Sequence, residues 1–153
     1  MVEMNFAEKM SVGILMATIF VARSPSSAIA VINELRAKGP FTKTSIGVTV
    51  VKDVLVTDQK LVSLGGDHSV SWPILDAHLD AWDTLDILHI DAHPDLYDSL
   101  LDNKLSHASP FARVMETGRV NRLVQIGIRT LNKHQREQAE KFKVEIYQMK
   151  DLT

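Results

Sequence analysis

From Leu61 onward, short apolar runs alternate with stretches of helical pattern, and that alternation limits the folds open to this chain. The runs are Leu61–Leu64, Asp86–Ile90, Arg122–Gly127 and Val144–Tyr147. Each is rich in Val, Ile or Leu and has the length of a buried strand. Between them the pattern predicts helices over Ser71–Trp82, Ser109–Thr117 and Lys133–Lys143. Pro73 falls in the first turn of one, where it is tolerated, and Gly118 stops another. Strands joined through helices pair in parallel, and a parallel sheet is covered by helices on its faces. The expected fold class is α/β, a three-layer α/β/α arrangement on a mainly parallel sheet.

The residues before Leu61 are less regular. Ser11–Ala22 is nearly all apolar but too short to span a bilayer. Ala28-Ile29-Ala30 has the small-x-small form of a signal cleavage site. Glu3 and Glu8 against Lys9 do not give the positive start such a signal needs, so a buried strand or helix is expected instead. Ser24-Pro25-Ser26-Ser27 is a turn that opens a helix over Ala28–Lys38, closed by Gly39-Pro40. Thr44–Leu55 has the β-branched content of a strand, yet Ile46, Val50, Val51, Val54 and Leu55 recur at helical spacing. A helix before the Leu61 strand also suits a βαβ arrangement.

A chain of 153 residues builds one domain. A net charge of −2 supplies no basic footprint for nucleic acid or an anionic membrane, so neither is expected as a partner. The chain has no cysteine, which excludes disulfides, thiolate metal sites and a cysteine nucleophile.

The chemistry concentrates in Asp91-Ala92-His93-Pro94-Asp95, which follows the apolar run Ile87-Leu88-His89-Ile90. Side chains two apart on an extended segment point the same way, so Asp91, His93 and Asp95 can share one face where the strand ends. Upstream, Leu64-Gly65-Gly66-Asp67-His68 is a strand end, a sharp glycine turn and an Asp-His pair. In a parallel sheet both motifs emerge at the carboxyl edge, where α/β folds place their sites. His68 can then converge on Asp91, His93 and Asp95 in a metal site.

These motifs, Leu64–Pro73 and Ile87–Asp95, with Ser106-His107-Ala108-Ser109 behind them, resemble the ureohydrolase family of arginases and agmatinases. The likeness covers Leu61 to Leu152, and residues 1–60 diverge. Members of that family are about twice this length, so the chain reads as a single partial domain over residues 1–153, truncated relative to the family. The resemblance implies a binuclear manganese centre with Asp91 bridging the ions, His68 and Asp95 completing one ion's protein ligands, and His93 on the other. Carboxylates are hard donors that suit Mn²⁺. The resemblance also implies that Asp95 holds the nucleophile by a hydrogen bond and that His107 relays a proton, making these two the expected catalytic residues. The expected reaction is hydrolysis of a small guanidinium compound, agmatine or arginine, to urea and an amine. The family's remaining carboxylates, an Asp-x-Asp pair on a later strand, find no match here. Asp91 and Asp95 offset only part of the charge of two divalent ions, so the isolated chain is expected to bind metal weakly and turn over poorly.

Other readings stay open. The chain reads also as a non-catalytic metal-binding remnant, or as a deacetylase-like amidohydrolase with one zinc. Tyr97 stands where many arginases have an asparagine that reads the amino-acid end of arginine, and Asp98, Asp102 and Asn103 crowd the same loop. A carboxylate-rich loop suits agmatine. The run Asp91–Tyr97 with Ser106–Arg113 also resembles plant-type arginases, which straddle both activities. Asp67 reads as a turn residue or as support for the His68 imidazole. His89 and His78 read as packed histidines, His134 as solvated, and Trp72 and Trp82 as packing aromatics. The resemblance implies a homo-oligomer; without a convincing signal peptide the expected location is the cytoplasm or, in a eukaryotic source, an organelle.

Overall fold

The computed structural model describes residues 51–53, 55, 56, 61, 63 and 67–152. Expectations for residues 1–50 lie outside them, as do Val62, Leu64, Gly65 and Gly66; Leu61 and Ser63, expected in a strand, take no regular secondary structure. At the end of the Thr44–Leu55 segment, Val51, Lys52, Asp53 and Leu55 are helical.

Three helices and three strands alternate through the described residues. They are α1 (Ser71–Ala81), β1 (Leu85–Ile90), α2 (Pro110–Glu116), β2 (Val120–Ile128), α3 (Lys133–Phe142) and β3 (Glu145–Gln148). The strands form one sheet in the order β1-β2-β3, and both pairings are parallel. The α/β class expected from the alternation is what forms, with element ends displaced by only a residue or two. Among the described residues no helix is long and apolar enough to cross a membrane.

Strand periodicity explains how β1 sits. Leu85, Ile87 and His89 are buried while Asp86, Leu88 and Ile90 are exposed. The buried face meets one continuous core that joins Leu75 and Leu79 of α1, Phe111 and Val114 of α2, Leu123 of β2 and Ala139 of α3. Trp72 and Trp82 pack against this core, as expected of them. On the other face of β1, Ile90 is 54% exposed.

The helix ends are set by local chemistry. Asp67 Oδ1 accepts from the Ser69 N–H at 2.9 Å and starts the short 3₁₀ turn His68–Val70 that leads into α1. At the far end of α1 the Arg119 guanidinium donates to the carbonyls of Leu79 (2.5 Å), Trp82 (3.1 Å) and Asp83 (3.0 Å). A cation there satisfies carbonyls the helix leaves unpaired. Pro110 opens α2, and Gly118 beyond it adopts a φ of +67°. Asn132 caps α3 by accepting from the Gln135 N–H at 2.9 Å, and Lys143 closes it in the left-handed conformation.

Between β1 and α2 lies the loop that carries the Asp-x-His-x-Asp motif. Arg113, 6% exposed, reaches up from α2 and donates to the carbonyls of Asp98 (2.8 Å) and Lys104 (3.1 Å). Its second nitrogen pairs with Glu116 at 2.7 Å. A buried guanidinium thus fixes the outer part of a loop whose Leu96 is anchored in the core. The loop's tip turns tightly, with Leu100 and Asn103 exchanging backbone hydrogen bonds across Leu101 and Asp102, both at positive φ.

Candidate metal centre

At the carboxyl end of β1 the chain bends through Asp91 and opens a cavity of about 900 Å³. Asp67, His68, Asp91, His93, Asp95, Tyr97 and His107 line it from one side, and the β2–α3 segment Arg129–Asn132 from the other. His68 arrives from the 3₁₀ turn ahead of α1, so two distant motifs meet here. His68 Nδ1 lies 2.5 Å from Asp95 Oδ2, and both side chains are buried. His68, His89, Asp91 and Asp95 each offer a ligand-type atom, and these atoms lie within 4.8 Å of one another.

His93 occupies a looser position. Its side chain is 60% exposed, and Nδ1 stands 3.4 Å from Asp91 Oδ1. The Asp91 carboxylate also accepts from the His93 backbone N–H at 2.8 Å. His93 therefore flanks the cluster on its open side. His107 is exposed and reaches the same cavity.

The backbone around the carboxylates is unusual. Asp95 adopts a φ of +47°, a conformation that few residues other than Gly, Asn and Asp take up readily. Its carbonyl accepts from the Phe111 N–H at 3.3 Å, which ties it to the start of α2. Gly127 has a φ of +87°, and a Cβ there would stand 3.4 Å from the Asp91 carbonyl oxygen. A Cβ at that distance would make an ordinary contact, so it is the left-handed φ that calls for glycine at 127. Beyond Gly127, the N–H groups of Arg129 (2.8 Å) and Thr130 (3.1 Å) donate to the Ala92 carbonyl, fixing the opposite wall to the motif.

Burial alone would raise the Asp91 carboxyl. Its interaction with His89 and the hydrogen bond from His93 N–H outweigh that and hold it at about 2. Asp91 is thus a carboxylate through the neutral range. Burial pushes the His89 imidazole down from its ordinary value, against the pull of Asp91 and Asp95.

Several side chains settle between the alternatives the sequence left. Asp67 is a turn residue, and the group beside the His68 imidazole is Asp95. His78 is packed, as expected: it bonds the Ile74 carbonyl at 2.7 Å and its ring lies tilted against Trp82, centroids 5.3 Å apart. His134 is exposed, but it also stacks on Tyr97 at 5.5 Å and accepts from the Asp98 N–H at 3.3 Å. Asn132 donates to the Tyr97 hydroxyl, so the cavity rim is a joined set of side chains. His89 is buried and hydrogen-bonded, as expected of a packed histidine, and it also stands among the ligand-type groups. Gln125 and Gly127 were missed in the sequence reading. The available signals were a polar residue at an inward position of an apolar strand and a glycine at that strand's end.

The donor set fits a divalent cation. Two carboxylates and an imidazole line one cavity, and His68 Nε2 is buried without a hydrogen-bond partner among the described residues.

Comparison with known proteins agrees with this geometry. A model of the arginase family matches residues 34–153. Mitochondrial arginase 1 of Arabidopsis thaliana is 53% identical over 139 residues, covering 76% of this chain and 41% of that protein. The N(1)-aminopropylagmatine ureohydrolase of Thermus thermophilus is 44% identical over 87 residues, covering 57% of this chain and 29% of that protein. Among solved structures, the arginase from Medicago truncatula superposes with a TM-score of 0.63 at 43% identity, covering 69% of this chain and 35% of that one. The chain spans less than half the length of each of these relatives. With the matched span, the parallel α/β sheet and the motif geometry in agreement, the chain belongs to the arginase family.

Proposed function

We propose that this chain carries metal-binding and proton-relay groups of a ureohydrolase, which splits a guanidinium compound into urea and an amine. The supporting observation is the convergence of His68, Asp91 and Asp95 on one cavity that His93 and His107 also line. His68, Asp91 and Asp95 would hold one Mn²⁺, and Asp91 with His93 a second. When bound, the ions supply Lewis acidity, which makes a water nucleophilic at neutral pH and offsets charge developing at the guanidinium carbon. Asp95, which lines the same cavity, would accept a hydrogen bond from the attacking water and keep it aligned. His107, on the exposed side of the cavity, passes a proton between solvent and the departing amine.

Arginine and agmatine share the guanidinium group on which this chemistry acts. The relatives' names point both ways, one set being arginases and another an aminopropylagmatine ureohydrolase. The Arabidopsis thaliana relative is named as mitochondrial, which supports an organelle as well as the cytoplasm in the proposal. Assembly into a homo-oligomer belongs to the same proposal and is read out by the hydrodynamic size of the purified chain.

The test is metal uptake and urea release by the purified chain with added Mn²⁺ and either substrate. Uptake with slow urea release, abolished by Asp95→Ala, is the expected result. Uptake of Mn²⁺ with no urea favours a non-catalytic remnant. One tightly held zinc and no manganese sinks the binuclear reading.

A further inference from the structure

We propose that His89, held in one tautomer by Gln125, is a positioning residue for Asp91: its Nε2–H faces the Asp91 carboxylate and sets the orientation in which that carboxylate meets a metal ion. This rests on the reading of the cavity as a metal centre. The parallel register of β1 and β2 places His89 directly beside Gln125. Both side chains are wholly buried, so neither can be satisfied by bulk water. Gln125 Nε2 lies 2.6 Å from the Pro94 carbonyl oxygen. A carbonyl only accepts, so the atom facing it is the amide nitrogen. The same nitrogen lies 3.1 Å from His89 Nδ1, and its second hydrogen is directed there.

His89 Nδ1 is therefore an acceptor, and in the neutral ring the proton is on Nε2. That nitrogen has no hydrogen-bond partner among the described residues and lies 3.8 Å from Asp91 Oδ2. The distance exceeds a hydrogen bond, and at this range the N–H acts on the carboxylate through its charge. A protonated nitrogen has no lone pair to donate, so His89 stands among the ligand-type groups without being a ligand. Phe111 packs across its ring with centroids 4.1 Å apart, which limits the ring's own rotation. Gln125 also grips the carbonyl of Pro94, immediately before Asp95. One buried amide thereby braces both carboxylates of the cluster, the arrangement through which outer groups tune metal affinity.

The first measurement needs no metal. Nitrogen-15 NMR of the whole chain reports the His89 tautomer, and a neutral ring protonated at Nε2 is expected. A ring protonated at Nδ1 overturns the proposal, and this test stands even where a variant fails to fold. The second compares Mn²⁺ affinity by calorimetry and the Co²⁺ absorption spectrum among wild type, Gln125→Leu, His89→Phe and His89→Gln. Gln125→Leu and His89→Phe should each weaken Mn²⁺ binding about 10–100-fold. His89→Gln, which keeps a donor, should recover part of the loss. The Co²⁺ spectrum should keep its shape throughout. Unchanged affinity in a folded wild-type-like variant, or loss of a nitrogen ligand from the spectrum in His89→Phe, overturns the positioning role alone. A wild-type chain that takes up neither ion overturns the metal-centre reading instead.

Discussion

Gly127 and Asp95 show how much of the site depends on single backbone conformations. A side chain at 127 meets the left-handed φ as its penalty and, in ordinary van der Waals contact, the Asp91 carbonyl 3.4 Å away. Gly118 shares the left-handed φ but has nothing within 4 Å of its missing Cβ. Both Gly→Ala changes should cost about 1–2 kcal/mol of stability for the left-handed residue. Only at 127 does that backbone strain lie against the metal-binding motif, so only Gly127→Ala should also weaken Mn²⁺ binding. Denaturant unfolding and metal titration of the two variants check this, and equal metal affinities would refute it. At Asp95, Asn keeps the tolerance for positive φ and removes the charge facing His68. Asp95→Asn should therefore cost less stability than truncation at the same position, while lowering Mn²⁺ affinity by more than the roughly 10–100-fold typical of supporting groups. Asp95→Ala should lose the metal and be less stable than Asp95→Asn, a ranking that thermal unfolding resolves.

The motif loop between β1 and α2 is the element most open to improvement. Its tip places Leu101 (φ +51°) and Asp102 (φ +60°) in two successive left-handed positions, and Leu101 is 93% exposed. That two-residue turn prefers Asn-Gly. Leu101→Asn with Asp102→Gly should therefore stabilise the chain by about 1 kcal/mol, seen as a higher melting temperature with Mn²⁺ affinity unchanged. No gain would mean that the tip's strain is relieved elsewhere. The regular elements around this loop were readable from the sequence because their signals are local. Leu75 and Leu79 repeat at helical spacing, and Leu85, Ile87 and His89 alternate along a strand. The meeting of His68 with Asp95 was inferable from the rule that parallel sheets gather their loops at one edge. The Gln125–His89 pair was not, because it depends on the register between β1 and β2. Nor was the wall formed by Arg129–Asn132, which reaches the motif through backbone N–H groups that any residue would supply.

For the molecule as a whole, buried titratable groups set the response to acid. Burial lowers the His78 imidazole from its ordinary value of 6.5, and its bond to the Ile74 carbonyl only partly opposes this. The folded chain therefore keeps His78 neutral where the unfolded chain has begun to protonate it. The unfolded state binds more protons in that window, so stability rises with pH up to about 6.5 and falls on acidification below it. His89 is lowered for the same leading reason and acts in the same direction. Asp91 acts further down: held at about 2 against an ordinary 3.8, it contributes stability above 3.8 that disappears as pH falls toward 2. Melting temperature measured in chelator, so that no bound ion contributes, should be level above pH 7, decline through the first window and decline again below pH 4. His78→Gln removes one of the two histidine contributions and should flatten the first decline while leaving the second in place. A first decline as steep in His78→Gln as in wild type would show that His78 is accessible to protons in the folded chain, and the packing of α1 around Ile74 and Trp82 would then need revision.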